Sequence, residues 1–285
     1  MTILQAVALF VAGMLAGALN SVAGGGSLIS FPTLLFARVP AIPANATNAM
    51  AVWPGSIASI PPYRKDLSHE RRELLIFSIV SVVGGVLGAI VLLRTPPRLF
   101  EQLIPWLLLF ATLIFAFGGQ ITRLVRGQRA APASSATAVD GVSGEAEGDD
   151  AADDAPPSRR ALVGVSVIQF AIALYGGFFG GGMGIMMLAG YALLGMRRIH
   201  TMNALKVAMA SIINGVAVIA FAIAGKIYWA QALVMVVGAV IGGYGGATLA
   251  HYVPPRYVRW FAIAVGIVAS AYLFYKYDIQ PPTAH

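Results

Sequence analysis

Apolar residues run along the chain in long blocks rather than alternating with polar ones, and charge, Gly or Pro interrupts them at intervals. With those interruptions taken as boundaries, the pattern predicts ten helical segments, at about 3–22, 27–38, 41–62, 73–93, 98–119, 161–179, 183–195, 203–225, 228–250 and 256–275. Most reach the roughly 20 residues that a helix needs to cross a hydrocarbon layer. The second and seventh hold only 12 and 13 residues, and each directly follows a triglycine. They read as half-helices or arms of re-entrant hairpins, the form irregular backbone takes at membrane depth when it lines a cavity.

Between the fifth and sixth segments the pattern stops. Residues 128–158 are Ala, Ser, Pro, Gly and acid without apolar periodicity, too poor in large side chains to offset their ordering entropy. The expected organisation is therefore an N-terminal membrane repeat at 1–127, a disordered acidic linker at 128–158 and a C-terminal membrane repeat at 159–285. The halves resemble each other. Gly24-Gly25-Gly26-Ser27 corresponds to Gly180-Gly181-Gly182-Met183, and Asn45-Ala46-Thr47-Asn48 to Asn203-Ala204-Leu205-Lys206, 158 residues later.

Composition narrows the class. Of 285 residues, 58% are hydrophobic and 11% charged, against about 25% charged in soluble chains, which excludes a cytosolic enzyme. The absence of Cys rules out disulfides, thiolate zinc and iron–sulfur clusters, and His69, His200, His251 and His285 have no metal-ligand spacing, so no cofactor is expected. No Ser-His-Asp set, P-loop or carboxylate pair is present, so the chain does not read as an enzyme.

The net charge of +7 would suggest nucleic acid if it were clustered, but seven of the 12 acids crowd into the linker, which carries −6, and the remaining chain carries +13. Those bases sit in short loops, where Lys and Arg fix membrane orientation, so no nucleic-acid partner is expected. Placing the loop of Arg64, Lys65, Arg71 and Arg72 in the cytoplasm puts 13 bases inside and five outside, with Lys206 left within a span. Both termini then face the periplasm and the linker the cytoplasm. The first segment lacks a basic region before Arg38, which argues against a cleaved leader. An odd number of passes per half turns the second half upside down. The fold expected is an all-α polytopic membrane protein of two inverted repeats, about five helical segments each, broken at the glycine-rich motifs.

Two features carry candidate chemistry. A Gly run breaks a helix, and the helix restarting at Ser27 or Met183 points its positive dipole end and free N–H groups at the break, a setting for an anion. Gly24, Gly25, Gly26 and Ser27 in one half and Gly180, Gly181 and Gly182 in the other are the candidates, although close helix packing would also use such glycines. Asn20, one turn before the first cluster, either joins the site or satisfies the freed backbone.

The second feature is a polar stripe. At 100° per residue, Asn45, Asn48 and Ser56 lie at about 0°, 300° and 20°, and Asn203, Lys206 and Asn214 fall at the same angles. Thr47 stands beside them in sequence. Such groups either hydrogen-bond a neighbouring helix or line a substrate cavity. Lys206, the one base inside a span, either snorkels to the surface or draws anions into the path. Outside the linker only Asp66, Glu70, Glu73, Glu101 and Asp278 are acidic, all at segment ends, so a cation would meet no counter-charge in mid-membrane.

With these residues in view, the chain resembles the TauE/SafE sulfite exporter family of bacterial membrane transporters. The resemblance rests on Gly17 to Ser27 with Phe31-Pro32, on Ala44 to Asn48 running to Trp53-Pro54-Gly55-Ser56, on Gly176 to Gly184, and on Met202 to Lys206. It implies a multi-pass protein of the bacterial inner membrane that moves sulfite, sulfonates or related small organic anions without ATP. The resulting expectation is a secondary transporter or exporter whose partners are a small anionic substrate and the lipid bilayer, with homo-oligomerisation left open. The alternatives are a passive anion channel and a non-transporting membrane scaffold subunit.

Overall fold

The computed structural model of the chain describes residues 1–22, 25–58, 60–61, 67, 71–127, 159–193, 196, 199–249 and 255–279. The linker at 128–158 and Gly24 lie outside the described residues. Among the described residues ten α-helices follow one another and no strand occurs. In the first half these are α1 (Ile3–Val22), α2 (Ser27–Phe36), α3 (Ala41–Ala58), α4 (Arg71–Arg94) and α5 (Pro97–Gly127). In the second they are α6 (Arg159–Phe178), α7 (Met183–Leu193), α8 (Ile199–Ile223), α9 (Trp229–Leu249) and α10 (Pro255–Phe274), the last running into a π turn at Tyr275–Ile279.

Among the described residues, five stretches are long and apolar enough to cross a membrane: Ile3–Asn20, Arg72–Arg94, Pro97–Gly118, Thr201–Ile223 and Trp260–Tyr277. The outer faces agree with that solvent. Ile3, Leu4, Leu75, Val163, Val167 and Ile223 are each more than half exposed, a surface that water would penalise and lipid would not. Trp106, Trp229 and Trp260 are exposed as well, as indoles at a lipid boundary are. By contrast α2, with 10 residues, rises only about 15 Å at 1.5 Å per residue, half of a hydrocarbon core. It is buried along most of its length, from Leu28 to Leu35.

The halves interlace. Helix α1 packs on α9 and its counterpart α6 on α4; α3 packs on α9 and α8 on α4; α2 meets α10 and α7 meets α5. Every one of these contacts becomes another when the halves are exchanged, while α3–α8 and α5–α10 join counterpart helices directly. Small residues make the closest seams. A Cβ added at Gly17 would fall 2.1 Å from the Ala239 carbonyl oxygen, and one at Gly242 1.8 Å from that of Met14. On the other side, one at Gly88 would fall 2.1 Å from the Leu174 oxygen. In lipid there is no hydrophobic force between helices, so such backbone-to-backbone packing is what holds them.

Buried polar groups are paired within the bundle. Gln169 donates from Nε2 to Ser81 Oγ at 2.8 Å and accepts from the Tyr191 hydroxyl at 3.3 Å, tying α6 to α4 and α7. Burial of these three side chains is nearly complete.

Candidate functional site

Both helix breaks depend on glycine backbone. Gly25, Gly180 and Gly182 adopt φ of 97°, 81° and 76°, values that side chains with a Cβ rarely tolerate. At the first break the Asn20 Oδ1 accepts the Gly26 N–H at 2.9 Å, so the side chain does satisfy freed backbone. At the second, the Tyr175 hydroxyl donates to the Gly181 carbonyl at 2.7 Å. In both, the helix that follows starts on the break: Leu28 N–H bonds the Gly25 carbonyl, and Ile185 N–H the Gly182 carbonyl.

A cavity of about 720 Å³ opens between the halves and takes in both breaks. Gly25 and Ser27 line it from the first, Gly180, Gly182 and Met183 from the second. Positions of both stripes line it. On α3 the lining positions include Asn48, Ala49, Val52 and Ser56, and on α8 they include Lys206, Val207, Ala210 and Asn214. Each of the second four stands 158 residues after its partner in the first, so counterpart positions of the two halves share one space.

Of the residues singled out from the sequence, Asn20, Asn45, Asn48, Gly25, Ser27, Gly180, Gly182, Lys206 and Asn214 lie on the cavity. The other described ones lie off it. Gly26 abuts the α1 backbone, where a Cβ would meet the Ala16 carbonyl oxygen at 2.4 Å. Gly181 rests against the Phe179 ring and Ala111. Thr47 is buried on the far side of α3, where its Oγ1 accepts the Tyr228 N–H at 3.0 Å. Asn203 turns to Lys206 and accepts from its ammonium at 3.1 Å.

Besides Asn20, three of the cavity's polar side chains have structural ties. Asn45 donates from Nδ2 to the Phe178 carbonyl at 3.0 Å, pinning α3 to the end of α6. Asn48 Oδ1 accepts from the Ser30 hydroxyl, joining α3 to the half-helix α2. Ser56 returns its hydroxyl to the Val52 carbonyl at 3.3 Å.

Lys206 is the one charged side chain among the described lining residues, and no carboxylate accompanies it. Its stem lies over the start of α7, where Gly184 leaves room: a Cβ there would sit 3.5 Å from the Lys206 Cδ. The stem thus passes beside the second break, and the ammonium has a neutral amide as its protein partner. In a medium of low dielectric that leaves a positive potential for an anion to offset. The apolar part of the lining, with Phe179, Ile185, Leu188 and Phe221, gave no signal in the sequence, because an apolar residue facing lipid and one facing a cavity look alike there.

Among known proteins, the family described as sulfite exporter TauE/SafE matches residues 9–273. A probable membrane transporter protein of Haemophilus influenzae is 25% identical over 268 residues, 94% of this chain and 93% of that one. The probable membrane transporter proteins YfcA of Escherichia coli, 27% identical over 94% of this chain and 88% of its own length, and YunE of Bacillus subtilis, 26% identical over 95% and 97%, are similar throughout. No solved structure matches the chain. With apolar helices of spanning length, two glycine breaks on one cavity and a match that runs almost end to end, the chain is a multi-pass membrane transporter and belongs to the TauE/SafE sulfite exporter family.

Proposed function

We propose that the protein is a secondary transporter of small anions, sulfite, sulfonates or related organic anions, across the bacterial inner membrane, working by alternating access of two inverted halves around the central cavity. The observation that carries this is the charge of the cavity: Lys206 without a carboxylate, beside the α7 start. A cation would lose its hydration there and find no counter-charge, whereas an anion would meet the ammonium and the positive end of a helix. Exchange symmetry of the helix contacts supports a duplicated bundle, and the distribution of Lys and Arg among the loops supports inverted halves with both termini periplasmic and the acidic linker cytoplasmic. A cavity of about 720 Å³ weighs against a scaffold with a filled centre.

The test is flux of sulfite and short-chain sulfonates into vesicles carrying the purified full chain. Saturation with counterflow, lowered about tenfold or more by Lys206→Gln, is the expected result. Flux that never saturates would favour the channel alternative, and none with any of these anions would favour the scaffold.

A further inference from the structure

Asn214 is only 6% exposed, lines the cavity, and has no hydrogen-bond partner for its amide among the described residues. No fully occluded side-chain nitrogen or oxygen among the described residues is left unpaired, so this amide opens into the cavity rather than being sealed in protein. An enclosed amide without a partner costs stability, and native structures rarely keep one unless something pairs with it. Its counterpart Ser56 is different, because that hydroxyl is already spent on the Val52 carbonyl.

Lys206 lies on the same helix, eight residues earlier, which at 1.5 Å per residue separates the two positions by about 12 Å along the axis. The Lys206 ammonium bonds Asn203, one turn further back, so it leans away from Asn214. Val207 and Ala210 line the cavity between them and offer only apolar surface. A compact oxyanion resting on the ammonium would leave the Asn214 amide untouched. With about 3 Å for a hydrogen bond at each end and the ammonium turned back toward Asn203, a ligand that touches both needs polar ends at least about 6 Å apart.

We propose that the cavity takes an elongated organic anion: a charged head at Lys206, a few methylene carbons along Val207 and Ala210, and an uncharged hydrogen-bonding group at the Asn214 amide. The far end is uncharged because the described lining holds no second base for it. This rests on the reading of Lys206 as the anion contact and adds that Asn214 reads the opposite end of the same molecule.

The experiment is binding to the purified full chain, by calorimetry, of three probes: sulfite, butanesulfonate and the terminally hydroxylated butanesulfonate. The wild type should bind the hydroxylated probe about tenfold more tightly than butanesulfonate, the worth of one hydrogen bond in an enclosed site. Asn214→Leu should abolish that preference and still bind butanesulfonate; Asn214→Ala serves if the leucine variant fails to insert. Lys206→Gln should weaken both sulfonates by the same factor and leave their ratio unchanged. Equal affinities in the wild type, or a preference that survives both Asn214 variants, overturns the inference. Binding of sulfite without either sulfonate overturns it too but leaves the anion reading standing, whereas no binding of any probe overturns both.

Discussion

The Trp53 indole N–H donates to the Ser211 backbone carbonyl at 3.0 Å, and the 158 residues between them are the spacing that relates Asn45 to Asn203. Trp53 therefore bonds the position that is its own counterpart in the other half, where α3 crosses α8. Its ring also fills the space that Gly215 leaves, since a Cβ there would sit 3.1 Å from the indole nitrogen.

Trp53→Phe keeps most of the ring and removes the donor, so the crossing should lose about 1 kcal/mol, the net worth of one such bond. Trp53→Ala, which also opens a cavity, should lose about 3–5 kcal/mol. Thermal unfolding of the purified protein in detergent measures both, and equal losses for the two variants would mean that the ring fills no space that matters.

Gly184 sets where the Lys206 stem can lie. A methyl group at 3.5 Å from Cδ is ordinary contact, so Gly184→Ala should leave anion affinity within about twofold of wild type. Gly184→Val should push the ammonium off the α7 start and weaken sulfite binding about as much as Lys206→Gln does, roughly tenfold. Titration with sulfite at constant protein stability separates this from unfolding; full affinity in the valine variant would show that the ammonium can act from elsewhere.

The small-residue seams allow a sharper comparison. Gly242→Ala places a methyl within 1.8 Å of the Met14 oxygen and must part α1 from α9, at a cost of about 1–3 kcal/mol or more. Gly164→Ala, on α6 with nothing within 4 Å, should gain up to about 1 kcal/mol from helix propensity alone. Melting temperatures that fell alike in both would refute the packing account.

Orientation is open to direct labelling, because the chain has no Cys of its own. If both termini are periplasmic as proposed, single cysteines at Ile3 and Lys276, at the start of α1 and just past α10, should react with an impermeant maleimide added to intact cells, and one at Arg72 only after permeabilisation. Reaction of Ile3 and Lys276 from opposite faces would sink the inverted arrangement.

Much of this was legible in the sequence because lipid leaves helices little freedom. The segment expected at 3–22 is α1 at Ile3–Val22, and the short ones expected at 27–38 and 183–195 are α2 at Ser27–Phe36 and α7 at Met183–Leu193. Where hydropathy was the only guide, ends drifted. Helix α5 continues to Gly127 rather than stopping near 119, since Gln120, Arg123 and Leu124 favour helix even though they leave the apolar block. Helix α3 stops at Ala58 rather than 62, just ahead of Pro61 and Pro62.

Angles told more about the cavity than residue type did. Asn45, Asn48, Ser56, Lys206 and Asn214 share a narrow arc and one cavity, whereas Thr47, about 200° from Asn45, points to the α9 side. The angular reading placed Asn203 on the same arc, but its amide turns aside to the ammonium one turn along.

Interlacing of α1 with α9 and of α6 with α4 has a consequence for biogenesis. The ribosome releases α1 into the membrane long before its partner exists, so Gly13 and Gly17 face lipid or a chaperone until nearly the whole polypeptide has been made. Neither half offers the other a finished surface to dock on. Assembly therefore waits for the last helices, and a nascent chain cut short before α9 is left with an open groove that invites degradation.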